Sequence, residues 1–126
     1  MGRVVLDTSV VIALLEGKNE RHSMAVEHFG NETNAYILSA VTIAEVLVRP
    51  SQLGTAEDAV KSLKRFADEI IDLDFELAAQ AAQIRASKYL KLPDAIISAT
   101  AQAARATLVT FDAKLAKAHK GSVLLG

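Results

Sequence analysis

The sequence predicts an α/β fold built around a mostly parallel sheet of four or five strands, and two patterns predict it. Short, continuously apolar runs recur along the chain, among them Val4-Val5-Leu6, Tyr36-Ile37-Leu38 and Leu108-Val109. Strands buried on both faces read this way. Between the runs lie stretches with helical spacing, and strands that alternate with helices build parallel sheets. The chain has 126 residues, which fits one domain over residues 1–126. With 51% hydrophobic residues, 23% charged residues and a net charge of -1, it is too apolar and too weakly charged to stay disordered.

The elements follow in order. Arg3 to Leu6 is β-branched and aliphatic and stops at Asp7, so it reads as a strand, with a short helix from Val10 to Gly17 after it. His22 to Phe29 has helical spacing and closes on the turn residues Gly30, Asn31 and Asn34. Tyr36 to Leu38 forms a second strand. The helix from Thr42 is expected to stop at Val48, because Arg49 precedes Pro50 and a residue before proline disfavours helix. Thr55 to Ala67 carries an apolar stripe opposite Lys61, Lys64 and Arg65, with Thr55 and Asp58 spaced as a capping box.

Ile70, Ile71 and Leu73 supply a third strand, and Asp74 caps an alanine-rich helix running to about Lys88. Leu92-Pro93-Asp94 breaks the chain and opens another helix to about Arg105, since proline is accepted in a first turn. Leu108 to Thr110 is the fourth strand, Asp112 caps a helix through Lys117, and Ser122 to Leu125 ends the chain as a strand.

Composition narrows the chemistry. The absence of cysteine removes thiolate metal sites and cysteine nucleophiles and fits a reducing compartment. No apolar run approaches the ~20 residues that span a bilayer, and Asp7 interrupts any signal-peptide core, so the expected location is cytoplasmic with no membrane contact. Fourteen Lys and Arg balance fifteen Asp and Glu, so nucleic acid is not recruited by global charge. Function must come from local placement.

In open parallel sheets, ligands sit outside the carboxyl ends of the strands. Asp7 ends the first strand, Glu45 lies on the helix after the second, Asp94 opens an apolar helix and Asp112 follows the fourth strand. Carboxylates gathered beside an apolar core repel one another, so such a cluster makes sense mainly around a cation. Oxygen ligands alone suit Mg2+ or Mn2+. Each acid also has a structural role open to it. Asp7 and Asp112 are placed as helix caps, Thr42 and Glu45 have capping-box spacing, Glu45 precedes Arg49 by one turn, and Asp94 suits the positive end of a helix.

Four segments, Val4-Val5-Leu6-Asp7-Thr8-Ser9, Ser39 to Val46, Leu92 to Ala101 and Leu108-Val109-Thr110-Phe111-Asp112, resemble in order and spacing the four motifs of PIN-domain ribonucleases. The compact size is similar to the VapC toxins of type II toxin-antitoxin pairs. The resemblance implies a three-layer α/β/α sandwich and Mg2+- or Mn2+-dependent endonucleolytic cleavage of RNA. It implies Asp7 and Asp94 as direct metal ligands and Glu45 and Asp112 as acids completing the pocket. Thr8, Ser9 and Thr110 match small hydroxyl positions that orient carboxylates or water. Where many relatives carry a further acid after the Asp112 position, Lys114 and Leu115 stand here.

Arg85, Lys88 and Lys91 precede Asp94, and Lys114 and Lys117 follow Asp112, so these five are the candidate contacts to the RNA backbone. Tyr89 is the aromatic residue expected near these charges. His22, His28 and His119 lie outside the motifs and are read as structural or solvent-facing. The resemblance further implies a cognate antitoxin and a homodimer, and exposure among Leu47, Val48, Leu53, Val60 and Leu63 would mark the antitoxin groove.

Two other classes compete. A Mg2+-dependent phosphatase-like hydrolase with a phosphorylated aspartate wants a second acid two residues after Asp7, where this chain has Ser9. A non-catalytic protein-binding module would use the acids only as helix caps.

Overall fold

The structure is a computed structural model that describes residues 2–30 and 33–126. The turn position Asn31 lies outside the described residues. Five strands, β1 (Arg3–Leu6), β2 (Ala35–Ser39), β3 (Glu69–Ile71), β4 (Thr107–Thr110) and β5 (Ser122–Leu124), form one sheet in the order β3-β2-β1-β4-β5. All four neighbouring pairs are parallel. The chain lays down β1, β2 and β3 outward on one side, then returns to place β4 on the other side of β1. The strand order therefore reverses between β1 and β4, where Val5 pairs with Leu108 and Leu6 with Val109.

Seven helices cover the sheet: α1 (Thr8–Leu15), α2 (His22–Gly30), α3 (Ala40–Leu53), α4 (Ala56–Phe66), α5 (Phe75–Lys88), α6 (Leu92–Ala104) and α7 (Ala113–Ala118). The two-residue side-chain period of a strand divides the core. Val4 and Leu6 of β1 join Tyr36, Leu38 and Val109 against α1 to α4, with Val11, Ala25, Val46 and Leu63 from those helices. Val5, Ile37 and Leu108 point the other way, onto α5, α6 and α7. The result is the expected α/β/α sandwich.

Helix α6 lies deepest. Every residue from Ala95 to Ala101 is buried, and its alanines let the backbone approach both the sheet and α5. Burying such a helix without polar cost needs internal partners, so Thr100 Oγ1 returns a hydrogen bond of 2.8 Å to the Ile96 carbonyl.

The prediction for α3 is corrected at its carboxyl end. The helix passes through Pro50 and runs to Leu53, ending at Gly54 in the left-handed conformation (φ 76°). The missing proline N–H costs one helical hydrogen bond. One further turn nevertheless forms, its end closed by the Gly54 and Thr55 N–H groups on the Pro50 carbonyl. That closing pair of bonds at Gly54, in the left-handed conformation, ends the helix one turn beyond the proline. The cap of α4 is corrected too, since Thr55 makes no side-chain capping bond. Asp74 does cap α5, accepting from the Leu77 N–H at 2.8 Å. Among the described residues no helix is long and apolar enough to cross a membrane.

Candidate functional site

The reversal of strand order opens a pocket of about 450 Å3 at the carboxyl end of the sheet, and Asp7, Glu45, Asp94 and Asp112 all line it. Four separate segments bring them there. Asp7 leaves β1 with its N–H bonded to the Val109 carbonyl, which locks it beside β4. Glu45 projects from the second turn of α3, Asp94 from the first turn of α6, and Asp112 from the start of α7.

The hydroxyl positions sit against these acids. Thr110 Oγ1 donates to Asp7 Oδ2 at 2.7 Å, Ser9 Oγ donates to the same oxygen at 3.2 Å, and the Thr8 N–H holds Asp7 Oδ1 at 2.8 Å. Thr8 Oγ1 donates to Glu45 Oε1 at 2.7 Å. Thr110 Oγ1 also accepts from the Asp112 N–H at 2.9 Å, so one side chain ties two acidic segments together. Asp112 caps α7 through the Lys114 and Leu115 N–H groups. The cap of α3 is Ser39, not Thr42. Thr42 is buried, and its Oγ1 stands 3.2 Å from Thr8 Oγ1. Among the described residues Glu45 makes no ion pair with Arg49.

Asp94 differs from its neighbours: among the described residues it accepts no hydrogen bond. Burial, and then the charges of Asp7, Asp112 and Glu45, push its carboxyl up to about 6, with Lys91 pulling the other way. Asp7 is 5% exposed. Burial raises its carboxyl too, against the Thr110, Thr8 and Ser9 hydrogen bonds that favour the anion.

Among the described residues no three His, Cys, Asp or Glu side chains are arranged to hold a metal ion as they stand. The carboxylates surround an open space and repel one another across it. Their chemistry fits a hard divalent cation: the donors are oxygens, four charges face one cavity, and Asp94 keeps its lone pairs free.

The five basic candidates do not converge. Lys91 lines the pocket. Arg85 donates to the Leu90 carbonyl at 2.8 Å and lines a separate cleft with Tyr89, so both residues stand apart from the acids. Lys88, Lys114 and Lys117 are exposed on α5 and α7 and do not line the pocket. Two pocket residues carried no signal of their own: Arg21, in the turn before α2, and Phe111, between Thr110 and Asp112. Phe111 could have been noticed from its place in the fourth motif, and it corrects the expectation that Tyr89 is the nearby aromatic. Nothing local to Arg21 marks it. The histidines are structural where they are bonded, His22 Nδ1 to the Ala13 carbonyl at 2.7 Å and His119 Nδ1 to Ser98 Oγ at 2.6 Å.

A second concavity, about 320 Å3, lies among α1, α3 and α4 and is lined by Ile12, Leu15, Val46, Pro50, Leu53 and Ala59 among others. Leu53 is 64% exposed and Val48 55%, while Leu63 is buried. Leu47 and Val60 are half-buried.

The sequence model of the PIN domain matches residues 4–121, and the chain belongs to the PIN domain family. A search of the curated proteins gave no match. Among solved structures, a chain of a toxin-antitoxin complex from Klebsiella pneumoniae is 29% identical, with 95% of each chain covered and a TM-score of 0.82. FitAcB from Neisseria gonorrhoeae is 27% identical, with 96% of each chain covered and a TM-score of 0.72. Mycobacterium tuberculosis VapC20, a sarcin-ricin loop cleaving toxin, is 17% identical, with 91% of this chain and 94% of that one covered and a TM-score of 0.77, and shares the fold.

Proposed function

We propose that this PIN domain is a Mg2+- or Mn2+-dependent endoribonuclease and the toxin of a toxin-antitoxin pair. The observation that carries the reading is Asp94. A carboxylate with no hydrogen-bond partner among the described residues faces three other acids, and its place in the first turn of α6 leaves it raised by that burial and repulsion. Asp7 and Asp112 do cap helices, but a capping module does not account for Asp94. Ser9, which donates to Asp7, stands where an aspartyl phosphatase has its second acid, and this argues against that class.

In this reading Asp7 and Asp94 hold the cation, and Glu45 and Asp112 complete its surroundings directly or through water. When bound, Mg2+ or Mn2+ supplies an activated water and neutralises charge on the phosphodiester. The protein's own part is orientation. Thr110 and Ser9 turn one oxygen of Asp7, Thr8 turns Glu45, and the buried hydroxyl of Thr110 keeps β4 and α7 in register with β1. Lys91 offers the RNA backbone a cation at the rim, and Arg85, Lys88, Lys114 and Lys117 extend positive charge beyond it.

The similarity to chains of toxin-antitoxin complexes supports an antitoxin partner, and the groove beside exposed Leu53 is the place proposed for it. The reading further takes residues 1–126 as one domain, working in the cytoplasm as a homodimer. The test is RNA cleavage with and without EDTA, together with Mn2+ titration by calorimetry. Cleavage is expected to stop in EDTA, and Asp94→Asn to lose both Mn2+ binding and cleavage. Cleavage that survives either change overturns the proposal.

A further inference from the structure

The acidic pocket contains a cation that none of the motifs includes. Arg21 lines the same cavity as the four carboxylates, with its guanidinium carbon 4.8 Å from the centre of the Phe111 ring. That distance is within the range of a cation–π contact. The backbone under Arg21 is pinned. Its N–H bonds Asn19 Oδ1 at 2.9 Å, the His22 N–H bonds the Asn19 carbonyl at 3.0 Å, and His22 Nδ1 bonds Ala13 of α1 at 2.7 Å.

The ring is placed as firmly, since Phe111 sits between Thr110, which bonds Asp7, and Asp112, whose N–H bonds Thr110. Among the described residues Arg21 makes no ion pair with any acid. It is also absent from the charges that act on Asp94, whereas Lys91 is among them. A guanidinium resting on a ring keeps its N–H edge free, and that fork matches a phosphate in two-point geometry.

We propose that Arg21 binds a backbone phosphate of the RNA strand next to the one cleaved, with Phe111 as the shelf that holds its guanidinium in place. This rests on the ribonuclease reading above. Arg21 is then a substrate-positioning residue outside the four motifs, and it gives the pocket a positive contact that the cation-binding acids do not consume.

The test is fluorescence anisotropy of a fluorescein-labelled, mixed-sequence single-stranded RNA with Mg2+ present, in an Asp94→Asn background that prevents cleavage, at several KCl concentrations. Adding Arg21→Ala is expected to weaken binding about tenfold or more and to flatten the plot of log affinity against log salt by about 0.7. Arg21→Lys should keep the slope and recover part of the affinity, because an ammonium carries the charge without the fork. Phe111→Leu should keep the slope with a smaller loss of affinity. In the cleaving protein, Arg21→Ala should raise KM and leave kcat nearly unchanged, with the melting temperature unaltered. Unchanged affinity and slope in Arg21→Ala, or a loss that merely follows a fall in melting temperature, overturns the proposal for Arg21 and leaves the ribonuclease reading standing. If the Asp94→Asn parent binds no RNA even at low salt, the proposal for Arg21 falls, because a guanidinium–phosphate contact does not need the cation. The ribonuclease reading is decided separately, by wild-type cleavage with and without EDTA.

Discussion

Two polar sites share helix α6, one turn apart, and they are built to opposite rules. Ser98 faces α7 and meets His119 at 2.6 Å, both side chains buried and each satisfying the other. Asp94 faces the pocket, accepts no hydrogen bond among the described residues and has its carboxyl raised to about 6 by burial and by three other acids. The first arrangement minimises the cost of burying polar atoms. The second maintains a cost that a bound partner of opposite charge, or a proton, would relieve. An unsatisfied polar group beside a satisfied one, on the same rigid helix, separates what serves stability from what is available for binding.

The largest loss of function is expected at the pocket itself. Asp7→Asn keeps the shape of a side chain that the Thr8 N–H and two hydroxyls hold, and removes its charge. RNA cleavage should fall roughly a hundred- to thousandfold, measured on a labelled RNA at saturating Mg2+. Activity within a few-fold of wild type would remove Asp7 from the site. Thr110→Val comes next. It deletes the hydroxyl shared by Asp7 and Asp112 without changing the volume of the buried residue. Activity should drop about ten- to a hundredfold, accompanied by weaker Mn2+ binding in calorimetry.

The satisfied site should respond in the other currency, stability. Ser98→Ala leaves the buried His119 ring nitrogen without its partner, which should cost about 1–3 kcal/mol in urea unfolding while RNA cleavage stays at the wild-type level. If cleavage fell and stability did not, the two sites would not be distinct.

The smallest effects are those of pH, and they have opposite signs. Asp94 has a folded value of about 6, above its ordinary 3.8. The native state then binds the proton more tightly, so in metal-free protein the repulsive cost is present above pH 6 and is relieved as pH falls toward 3.8. His119 is lowered by burial from 6.5, so its contribution to stability is present above pH 6.5 and is lost as pH falls toward the folded value. In EDTA, the melting temperature of Asp94→Asn should therefore exceed wild type at pH 8 and converge with it near pH 4. A His119→Asn variant should lose less stability than wild type on acidification below pH 6.5. Parallel pH profiles for wild type and both variants would contradict these assignments.

Much of the fold was legible because its signals are local. Apolar runs such as Val4-Val5-Leu6 need no context to read as buried strand, and Asp74 and Asp112 announce the helices they cap. The exceptions have physical reasons. The rule that ends a helix before Pro50 gave way because Gly54 supplies a left-handed cap one turn later, with the Gly54 and Thr55 N–H groups on the Pro50 carbonyl. Thr42 looked like a cap and is instead buried against Thr8, thirty-four residues away in sequence. At the site, Asp7 and Asp112 were legible because they follow the ends of β1 and β4, and Glu45 and Asp94 because they stand in motif-like segments inside α3 and α6. Of the basic residues thought to surround them, Lys91 alone reached the pocket, since spacing along an exposed helix says nothing about which way a long side chain turns.

The sequence by itself determined the element types and the parallel class of the sheet, since hydrophobic period is a property of neighbouring residues, and the resemblance to the four PIN motifs singled out the acids that line the pocket. Only the tertiary structure decided that β4 would pair with β1 and so place Asp112 beside Asp7. It also decided that Thr110 would join them, that Asp94 would stay unbonded among the described residues, and that Arg21 would come to rest on Phe111. Those are contacts between segments as much as a hundred residues apart, set by strand order and by the depth to which α6 packs, and no local pattern encodes them.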